Sequence, residues 1–290
     1  MCIRKRSAWV MAVVERPSQA APAVGPQPLP PDQIAPDDCI IHAAPMSHGS
    51  GLYILPHVAK GACQVVPESS GFEADEVFRL LGDHRQVTLF FAPTMVTRLI
   101  DAPGHGDADL TNLKTIVYGG GPMYVEDCLR AIDALGPKLV QIYGQGESPM
   151  TITCLPRSAH TDTGHPRYLD RLASVGTAFT GVDVRVAGSD GCPLATNEIG
   201  EILVRGDPVM AGYWNNLAAS NETLNGGWLH TGDIGALDED GYLTLMDRSK
   251  DVIISGGSNI YPREVEEALK QLSQRSQIYT PGAGRWRLVN

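Results

Sequence analysis

Two glycine-rich turns in this sequence stand beside side chains that could bind a ligand. The first turn is Gly119-Gly120-Gly121-Pro122, and the second lies within Tyr143-Gly144-Gln145-Gly146-Glu147. Because glycines carry no side chain, a flat base could approach the backbone of residues 119–121 closely. Tyr143 offers an aromatic face for stacking, and Glu147 offers a hard oxygen ligand for Mg²⁺. The alternative interpretation is that these turns only connect strands and helices and bind nothing.

A second group of polar residues lies between His230 and Leu269. It contains a Thr-Gly-Asp turn at residues 231–233, four charges in five residues at 247–251, and the glycine pair Gly256 and Gly257. The spacing predicts a β-hairpin with strands 234–237 and 242–246, then a hinge, then a helix that Pro262 opens. Runs of charge such as 247–251 usually form an exposed surface network, and this remains the alternative to a binding role.

A single histidine, His48, lies among small residues in the segment Pro45-Met46-Ser47-His48-Gly49-Ser50-Gly51. A loop histidine whose neighbouring glycines serve only to turn the chain is the simpler interpretation of this pattern on its own.

The order of predicted elements determines where these groups meet. Strand 113–117, helix 123–135 and strand 138–142 form a βαβ unit, which predicts a parallel sheet with ligands at the carboxyl ends of its strands. Residues 177–186 and 199–204 are typical of antiparallel strands in a smaller β-subdomain. The remaining predicted strands are 39–43, 63–66, 87–91 and 252–254, and the remaining predicted helices are 52–59, 72–81 and 93 to about 100. The sequence therefore predicts an α/β fold with a large domain of mixed or parallel sheets, a smaller β-subdomain and the start of a small C-terminal domain.

Composition excludes some classes of function. The chain has a net charge of −10, and no Lys/Arg block follows Arg4–Arg6, which argues against nucleic acid as a partner. None of the six cysteines forms a Cys-x-x-Cys pair, so their spacing indicates neither a zinc site nor a disulfide framework. The apolar run at residues 8–14 is too short for a membrane span, and we expect a cytoplasmic protein. The oligomeric state cannot be read from the sequence.

The order of motifs in the second half of the chain resembles the adenylate-forming, or AMP-binding, superfamily. This superfamily includes acyl- and aryl-CoA synthetases, luciferases and peptide-synthetase adenylation domains. The matching run is Thr-Gly-Asp at 231–233, Asp-Arg-x-Lys-Asp at 247–251, and Gly-Gly-x-Asn-Ile-x-Pro-x-Glu-Val-Glu at 256–266. Residues 143–147 resemble the family motif Tyr-Gly-x-Thr-Glu, with Gly146 in place of the threonine. Residues 205–214 resemble Arg-Gly-x-x-x-Met-x-Gly-Tyr-Trp, to which we assign a structural role.

The resemblance implies an AMP-forming acyl-CoA synthetase that acts on a fatty or aryl acid. Such enzymes use Mg-ATP to convert a carboxylate to an acyl-adenylate, and coenzyme A then takes the acyl group and releases AMP. The implied catalytic residues are His48 beside the carboxylate, Glu147 as the Mg²⁺ ligand and Lys250 at the hinge. The implied binding residues are Gly119, Gly120, Gly121, Pro122, Tyr143 and Gly144 at adenine, Asp233 and Arg248 at ribose and phosphate, and Gly256 and Gly257 at the pantetheine tunnel.

Two family elements are missing from the sequence: a Ser/Thr/Gly-rich phosphate loop upstream of His48 and a catalytic lysine near the end of the small domain. The expected organisation is an unrelated or disordered leader at 1–38, a partial large domain at 39–247, and the hinge with a truncated small domain at 248–290. Loss of a single oxyanion donor costs about 10²–10³ in rate, so we expect adenylation near background, with AMP binding retained. The alternatives are a non-catalytic nucleotide-binding remnant and a fragment that depends on a partner chain.

Overall fold

A computed structural model of the protein describes residues 34–248, 253–255, 258–272, 277–279 and 287–289. Most of the predicted leader, together with Lys250, Gly256 and Gly257, lies outside these described residues. Within the described part of the chain, no helix combines the length and the apolar character that a membrane crossing requires.

A seven-stranded sheet forms the larger part of the molecule, with strand order β2-β1-β3-β4-β5-β6-β7. The pairs from β2 to β5 are parallel, and β6 and β7 add antiparallel strands at the far edge. Its strands are β1 (Cys39–Ile41), β2 (Cys63–Val65), β3 (Val87–Phe91), β4 (Leu113–Tyr118), β5 (Leu139–Gln145), β6 (Ser148–Leu155) and β7 (Thr177–Ala178). The predicted crossover is confirmed, because β4 and β5 are parallel neighbours joined through a helix.

Helices pack against the sheet and connect its strands. Those described up to residue 223 are α1 (Gly49–Leu52), α2 (Ile54–Lys60), α3 (Ala74–Asp83), α4 (Pro93–Ile100), α5 (Val125–Leu135), α6 (Arg157–Thr161), α7 (Tyr168–Ala173) and α8 (Leu217–Thr223). Short 3₁₀ turns lie at Pro103–Asp107 and Asn225–Gly227. Pro93 begins α4 as predicted, since proline at the first helical position has no amide hydrogen to leave unpaired. The predicted helix 52–59 is interrupted at Tyr53, which divides it between α1 and α2.

The core lies on both faces of this sheet. All five residues of β3 are buried, as expected for a central parallel strand covered on both sides. Leu89 and Phe91 pack in the larger core cluster, and Phe90 between them points into a second cluster with Ile142. The alternation thus divides β3 between the cores on the two faces, and the parallel pairing places the carboxyl ends of β3, β4 and β5 at one edge of the sheet.

A four-stranded antiparallel sheet, in the order β11-β10-β9-β8, forms the smaller β-subdomain. Its strands are β8 (Val182–Ala187), β9 (Gly200–Gly206), β10 (Leu229–Leu237) and β11 (Leu243–Arg248). The predicted continuous strand 177–186 is wrong. Gly181, at φ +81°, breaks it, so that β7 pairs in the large sheet and β8 in the small one.

The two sheets meet at a seam around Gly176. The Val175 amide donates to the Leu243 carbonyl over 2.8 Å, and the Leu243 amide donates back to the Gly176 carbonyl over 2.9 Å. A Cβ on Gly176 would lie 2.0 Å from the Cys154 carbonyl oxygen, and φ there is +84°. Only glycine therefore permits residue 176 to run this close to β6 while its carbonyl bonds to Leu243 of the small sheet.

The remaining described elements follow the small sheet. Helix α9 (Pro262–Leu272) begins at the predicted proline, and its Glu267 accepts the backbone amide of Val125 at the start of α5 over 2.9 Å. A carboxylate at that position satisfies an unpaired helix amide and complements the helix dipole. Two short antiparallel pairs complete the description: β12 (Ile253–Ser255) with β13 (Ser258–Ile260), and β14 (Gln277–Tyr279) with β15 (Arg287–Val289).

Candidate active site

A cavity of about 360 Å³ opens at the carboxyl ends of the parallel strands. Its walls are mainly apolar, and its lining includes Leu52, Phe90, Met95, Ile142 and Met150. Open parallel sheets generally bind ligands at this edge, which is where the predicted βαβ crossover leads us to expect a site. The cavity therefore suits the apolar part of a ligand, and its lining also includes four residues singled out in the sequence: His48, Gly119, Gly120 and Gly144.

The glycine turn after β4 allows two strands to approach closely. A Cβ on Gly119 would lie 2.5 Å from the Ile142 carbonyl oxygen, so a side chain there would push β4 away from β5. Gly120 has φ +79°, whereas Gly121 and Pro122 are exposed on the outer side of the turn. The turn therefore presents backbone rather than side chains toward the cavity, as the sequence predicts.

His48 lies at the mouth of the cavity, where its ring is exposed. Its Nδ1 is 3.0 Å from the Ser47 hydroxyl. The buried His42 nearby has a different role, because its two ring nitrogens contact Ser50 and Gln64 at 2.8 Å and 2.7 Å. His48 is thus exposed beside the cavity, whereas His42 holds the start of α1 against the sheet.

Asp233 lies where the two sheets face each other. Tyr143, at the end of β5, donates its hydroxyl hydrogen to Asp233 Oδ2 over 2.6 Å. Arg248 Nε lies 3.3 Å from Asp233 Oδ1, from the paired position on β11. Burial raises the pKa of the Asp233 carboxyl above its ordinary value, and the Tyr143 hydroxyl and Arg248 oppose that rise. The result is a largely buried carboxylate with Oδ2 bonded to Tyr143 and Oδ1 paired with Arg248, and each oxygen has further acceptor capacity.

Tyr143 differs from its predicted setting. We placed it in a turn after strand 138–142, whereas β5 continues through Gln145 because β6 turns back antiparallel and supplies backbone partners. This extension fixes the tyrosine ring in the sheet and directs its hydroxyl to Asp233.

Glu147 follows the end of β5 and is held from two sides. Tyr213 donates its hydroxyl hydrogen to Glu147 Oε1 over 2.5 Å, and the Met210 amide donates to the Glu147 carbonyl over 2.7 Å. Burial, and then the bond to Glu147, raises the pKa of Tyr213 to about 12, so it stays a donor at neutral pH. The sequence predicts only a structural role for Tyr213, because the residues around it do not indicate a contact with Glu147.

Glu147 fits the predicted Mg²⁺ ligand in its chemistry. A carboxylate oxygen is the ligand type that Mg²⁺ prefers, and a single protein carboxylate suffices where substrate phosphates and water complete the octahedron. Tyr213 occupies one oxygen of the carboxylate, which leaves Oε2 for a cation.

The structure brings most of the predicted site residues that it describes to one edge of the sheet. His48, Gly119, Gly120 and Gly144 line the cavity. Tyr143, Asp233 and Arg248 form one hydrogen-bonded group, and Glu147 belongs to a second with Tyr213. Lys250, Gly256 and Gly257 lie outside the described residues, so their predicted roles stay predictions.

Comparison with known proteins places this geometry in a family. A family model described as AMP-binding enzyme matches residues 18–214 of the chain. The chain belongs to the AMP-binding enzyme family. It is 35% identical over 239 residues to a medium/long-chain-fatty-acid–CoA ligase of Mycobacterium tuberculosis, covering 82% of this chain and 40% of that protein. It is 37% identical over 238 residues to a feruloyl-CoA synthase of an Amycolatopsis species, covering 81% of this chain and 46% of that protein.

Solved structures of AMP-binding enzymes share the fold. An amide bond synthetase from Marinactinospora thermotolerans superimposes with a TM-score of 0.75 at 29% identity, covering 95% of this chain and 52% of that one. The o-succinylbenzoate CoA synthetase of Bacillus subtilis in complex with AMP gives 0.69 at 30% identity, covering 82% and 47%. The chain therefore spans about half the length of the relatives that it matches, and the α/β architecture is that of adenylate-forming enzymes.

Proposed function

We propose that this chain supplies the nucleotide- and acyl-binding part of an AMP-forming acid–thiol ligase that activates a fatty or aryl acid. The observation that carries the proposal is the position of Asp233. Its carboxylate is buried, bonded to Tyr143 and Arg248, and lies at the same edge of the sheet as a largely apolar cavity. A buried carboxylate accepts hydrogen bonds from vicinal hydroxyls well, and an apolar cavity accepts a hydrocarbon chain or ring.

In the first half-reaction of this proposal, a carboxylate oxygen of the acid attacks the α-phosphorus of ATP. The bond between that phosphorus and the oxygen bridging to the β-phosphate breaks, and pyrophosphate leaves with the electron pair. Asp233 receives the ribose hydroxyls, and Arg248, which is permanently charged, contacts ribose and phosphate. Tyr143 and the backbone of residues 119–122, with Gly144, receive the adenine. Glu147 would hold Mg²⁺, and the ion would supply positive charge to offset the charge that develops on the phosphates.

In the second half-reaction the sulfur of coenzyme A attacks the activated carbonyl, the thiol loses its proton, and AMP leaves with the electron pair. We assign His48, an exposed residue that lines the cavity, to the position beside the reacting carbonyl. Lys250 is assigned to the hinge, and Gly256 and Gly257 to the pantetheine passage, from their positions in the family motif.

The cavity supports the substrate class. Its walls carry far more apolar than polar groups, so an acid with a hydrocarbon chain or an aromatic ring would remove apolar surface from water on binding. Relatives include a fatty-acid ligase and a feruloyl-CoA synthase, which match these two forms of acid.

Binding of AMP to the purified 290-residue chain tests the proposal. We expect AMP to raise the thermal unfolding temperature, and Asp233→Asn to weaken AMP binding about 10- to 100-fold, since hydrogen bonds to a charged group contribute about 1.5–3 kcal/mol. Asp133→Asn, on the exposed side of α5, is the matched control and should bind as the wild type does. Absence of AMP binding, or equal affinity in the Asp233 and Asp133 variants, would contradict the proposal.

Two further readouts separate the alternatives. AMP binding without any ATP–pyrophosphate exchange above a no-enzyme control would favour a nucleotide-binding module that does not catalyse adenylation. If the chain does not bind AMP and elutes as a large oligomer, the result would favour the hypothesis that it is a fragment that depends on a partner chain.

A further inference from the structure

Two cysteines and a histidine meet at the opposite edge of the large sheet from the cavity. Cys39 and Cys63 are the first residues of β1 and β2 and are direct partners in the parallel ladder. His84 directly follows α3, just before β3 begins. The two sulfur atoms and a ring nitrogen of His84 all lie within 4.8 Å of one another. Cysteine and histidine ligands of this kind are typical of transition-metal sites rather than of Mg²⁺ or Ca²⁺ sites.

The distances are close to those of a bound zinc ion. Zinc binds sulfur at about 2.3 Å and nitrogen at about 2.0–2.1 Å in a tetrahedron, which separates neighbouring ligand atoms by about 3.5–3.8 Å. A group of three ligand atoms within 4.8 Å needs to contract by about an ångström or less, which side-chain rotations can supply. Cys63 is exposed, so water can reach the fourth position.

The surrounding backbone holds the three residues in place. The Cys39 amide donates to the Gln86 carbonyl over 3.2 Å, and the Cys63 amide donates to the Asp38 carbonyl over 2.9 Å. Gln86 has φ +48°, a turn that returns the chain from His84 into β3. The buried Asp38 side chain is already engaged with Lys114 and the Ala35 amide, so we do not count it as a ligand.

We propose that Cys39, Cys63 and His84 bind one zinc ion, with solvent as the fourth ligand, and that this ion fastens edge strand β2 to β1 and to the end of α3. Strand β2 has only three residues and forms the edge of the sheet. A metal that binds the folded chain and not the unfolded one stabilises the fold by mass action. We assign the ion to stability rather than to the proposed ligase chemistry, because it lies at the amino ends of the strands, whereas the candidate active site lies at their carboxyl ends.

The same two sulfurs offer a rival chemistry, since paired cysteines on adjacent strands can oxidise to a disulfide with the loss of two hydrogens. In the metal-free protein, burial, and then the neighbouring Cys63, raises the pKa of the Cys39 thiol to about 12. Zinc binding must therefore displace protons, as it does at thiolate sites in general.

Equilibrium dialysis against zinc, followed by elemental analysis of the purified full chain, tests the proposal. We expect one zinc ion per chain, and a rise of several degrees in the unfolding temperature. Cys63→Ser and His84→Gln should each weaken zinc binding at least tenfold. Both sites are at least partly exposed, which reduces the risk of misfolding. Cys192→Ser, an exposed cysteine in the small-sheet region, is the matched control and should retain wild-type affinity.

Cobalt substitution gives an independent readout of the ligands. Co²⁺ bound by two thiolates and an imidazole should show thiolate charge-transfer bands and intense visible bands typical of tetrahedral geometry, and Cys63→Ser should lose part of the charge-transfer intensity. The proposal is overturned if the chain binds no stoichiometric zinc, or if Cys63→Ser and His84→Gln bind as tightly as Cys192→Ser. It is also overturned if the protein, purified with zinc and without reductant, carries a Cys39–Cys63 disulfide by peptide mass analysis.

Discussion

Tyr143 and Asp233 lie 90 residues apart in the chain and are joined by a hydrogen bond of 2.6 Å between the phenol and the carboxylate. The tyrosine belongs to the seven-stranded sheet and the aspartate to the four-stranded sheet. The site proposed for the nucleotide is therefore complete only when the two sheets pack together, and each partner can be tested separately.

The ring and the hydroxyl of Tyr143 should make separate contributions to AMP binding. Tyr143→Phe keeps the ring and removes one hydrogen bond, so we expect a loss of affinity of up to about tenfold, from about 1 kcal/mol. Tyr143→Leu removes the stacking face, which contributes about 1–3 kcal/mol for a base on an aromatic ring. Calorimetric titration should rank the affinities as wild type, Phe and Leu. Equal affinities for the two variants would assign the whole effect to the hydroxyl.

The protonation state of Asp233 should control nucleoside affinity. Burial raises its pKa above the ordinary aspartate value of about 3.9. Because only the ionised form accepts both ribose hydroxyls, affinity should fall as the pH decreases through that raised pKa. Adenosine is the suitable ligand, since it lacks a phosphate that titrates near pH 6. Asp233→Asn should bind adenosine weakly with a flat pH profile, and a wild-type profile that is equally flat would contradict this expectation.

Tyr213 should raise the affinity for magnesium, because its hydroxyl orients the Glu147 carboxylate. Tyr213→Phe removes the donor that orients the carboxylate, and loss of such a partner typically costs 10- to 100-fold in metal affinity. Glu147→Gln should cost at least as much, because it removes the charge itself. The measurement is the magnesium dependence of ATP binding, with metal-free AMP binding as the internal control. If Tyr213→Phe leaves the magnesium dependence unchanged, the bond to Glu147 has no part in metal binding.

Gly119→Ala should damage both stability and the cavity. The added Cβ would lie 2.5 Å from the Ile142 carbonyl oxygen, so the backbone must move. Overpacking of this kind costs about 1–3 kcal/mol, and we expect the unfolding temperature to fall by several degrees. Gly106→Ala is the control, because a Cβ there has no neighbour within 4 Å. A Gly119 variant as stable as the Gly106 variant would show that β4 and β5 can separate without cost.

His160 should make the fold sensitive to mild acid. It is buried, its Nδ1 donates to the Pro156 carbonyl over 3.0 Å, and Nε2 therefore accepts from the Tyr118 hydroxyl over 2.9 Å. Burial lowers the pKa of His160 to about 4, whereas an unfolded histidine titrates near 6.5. The unfolded chain binds more protons between these values, so stability should fall as the pH decreases through this window, by on the order of 3 kcal/mol.

Urea unfolding at pH 7 and pH 4 measures this effect. His160→Gln should remove most of the histidine-dependent loss, although the variant itself is less stable at pH 7. The exposed His48→Gln should retain the wild-type dependence. If His160→Gln keeps the full pH slope, the sensitivity arises from other groups.

The sequence predicts those helices, strands and turns whose formation depends on residues close together in the chain. The β4–α5–β5 crossover, the start of α4 at Pro93 and the strand Val87–Phe91 follow from apolar periodicity and proline placement. The glycine turn at 119–121 follows from the same unit, whereas the extension of β5 through Tyr143 to Gln145 depends on pairing with β6. The break at Gly181 could not be predicted, because the choice of sheet for β7 and β8 depends on partners far along the chain.

The features that the sequence does not predict depend on contacts between residues that are far apart in the chain. Nothing in the neighbourhood of Tyr213 indicates that its hydroxyl reaches Glu147, and cysteine spacing gives no indication that Cys39, Cys63 and His84 converge. The parallel register of β1 and β2 pairs Cys39 with Cys63, and one residue of slippage would move a side chain to the other face. Tyr213 and Glu147 lie outside the strands, and their contact depends on how two separate connecting segments pack. Only the ordered family motifs linked Asp233 to Tyr143 before the fold was known.

The seam at Gly176 joins the backbones of the two sheets, so it affects how the sheets separate from each other. Val175 and Gly176 are hydrogen-bonded to β11, and Thr177, the next residue, pairs with β6. Separation of the two sheets at this point therefore breaks the two backbone hydrogen bonds between residues 175–176 and Leu243. A nucleotide bound by residues of both sheets would oppose that separation, and we expect it to slow amide hydrogen exchange along the seam.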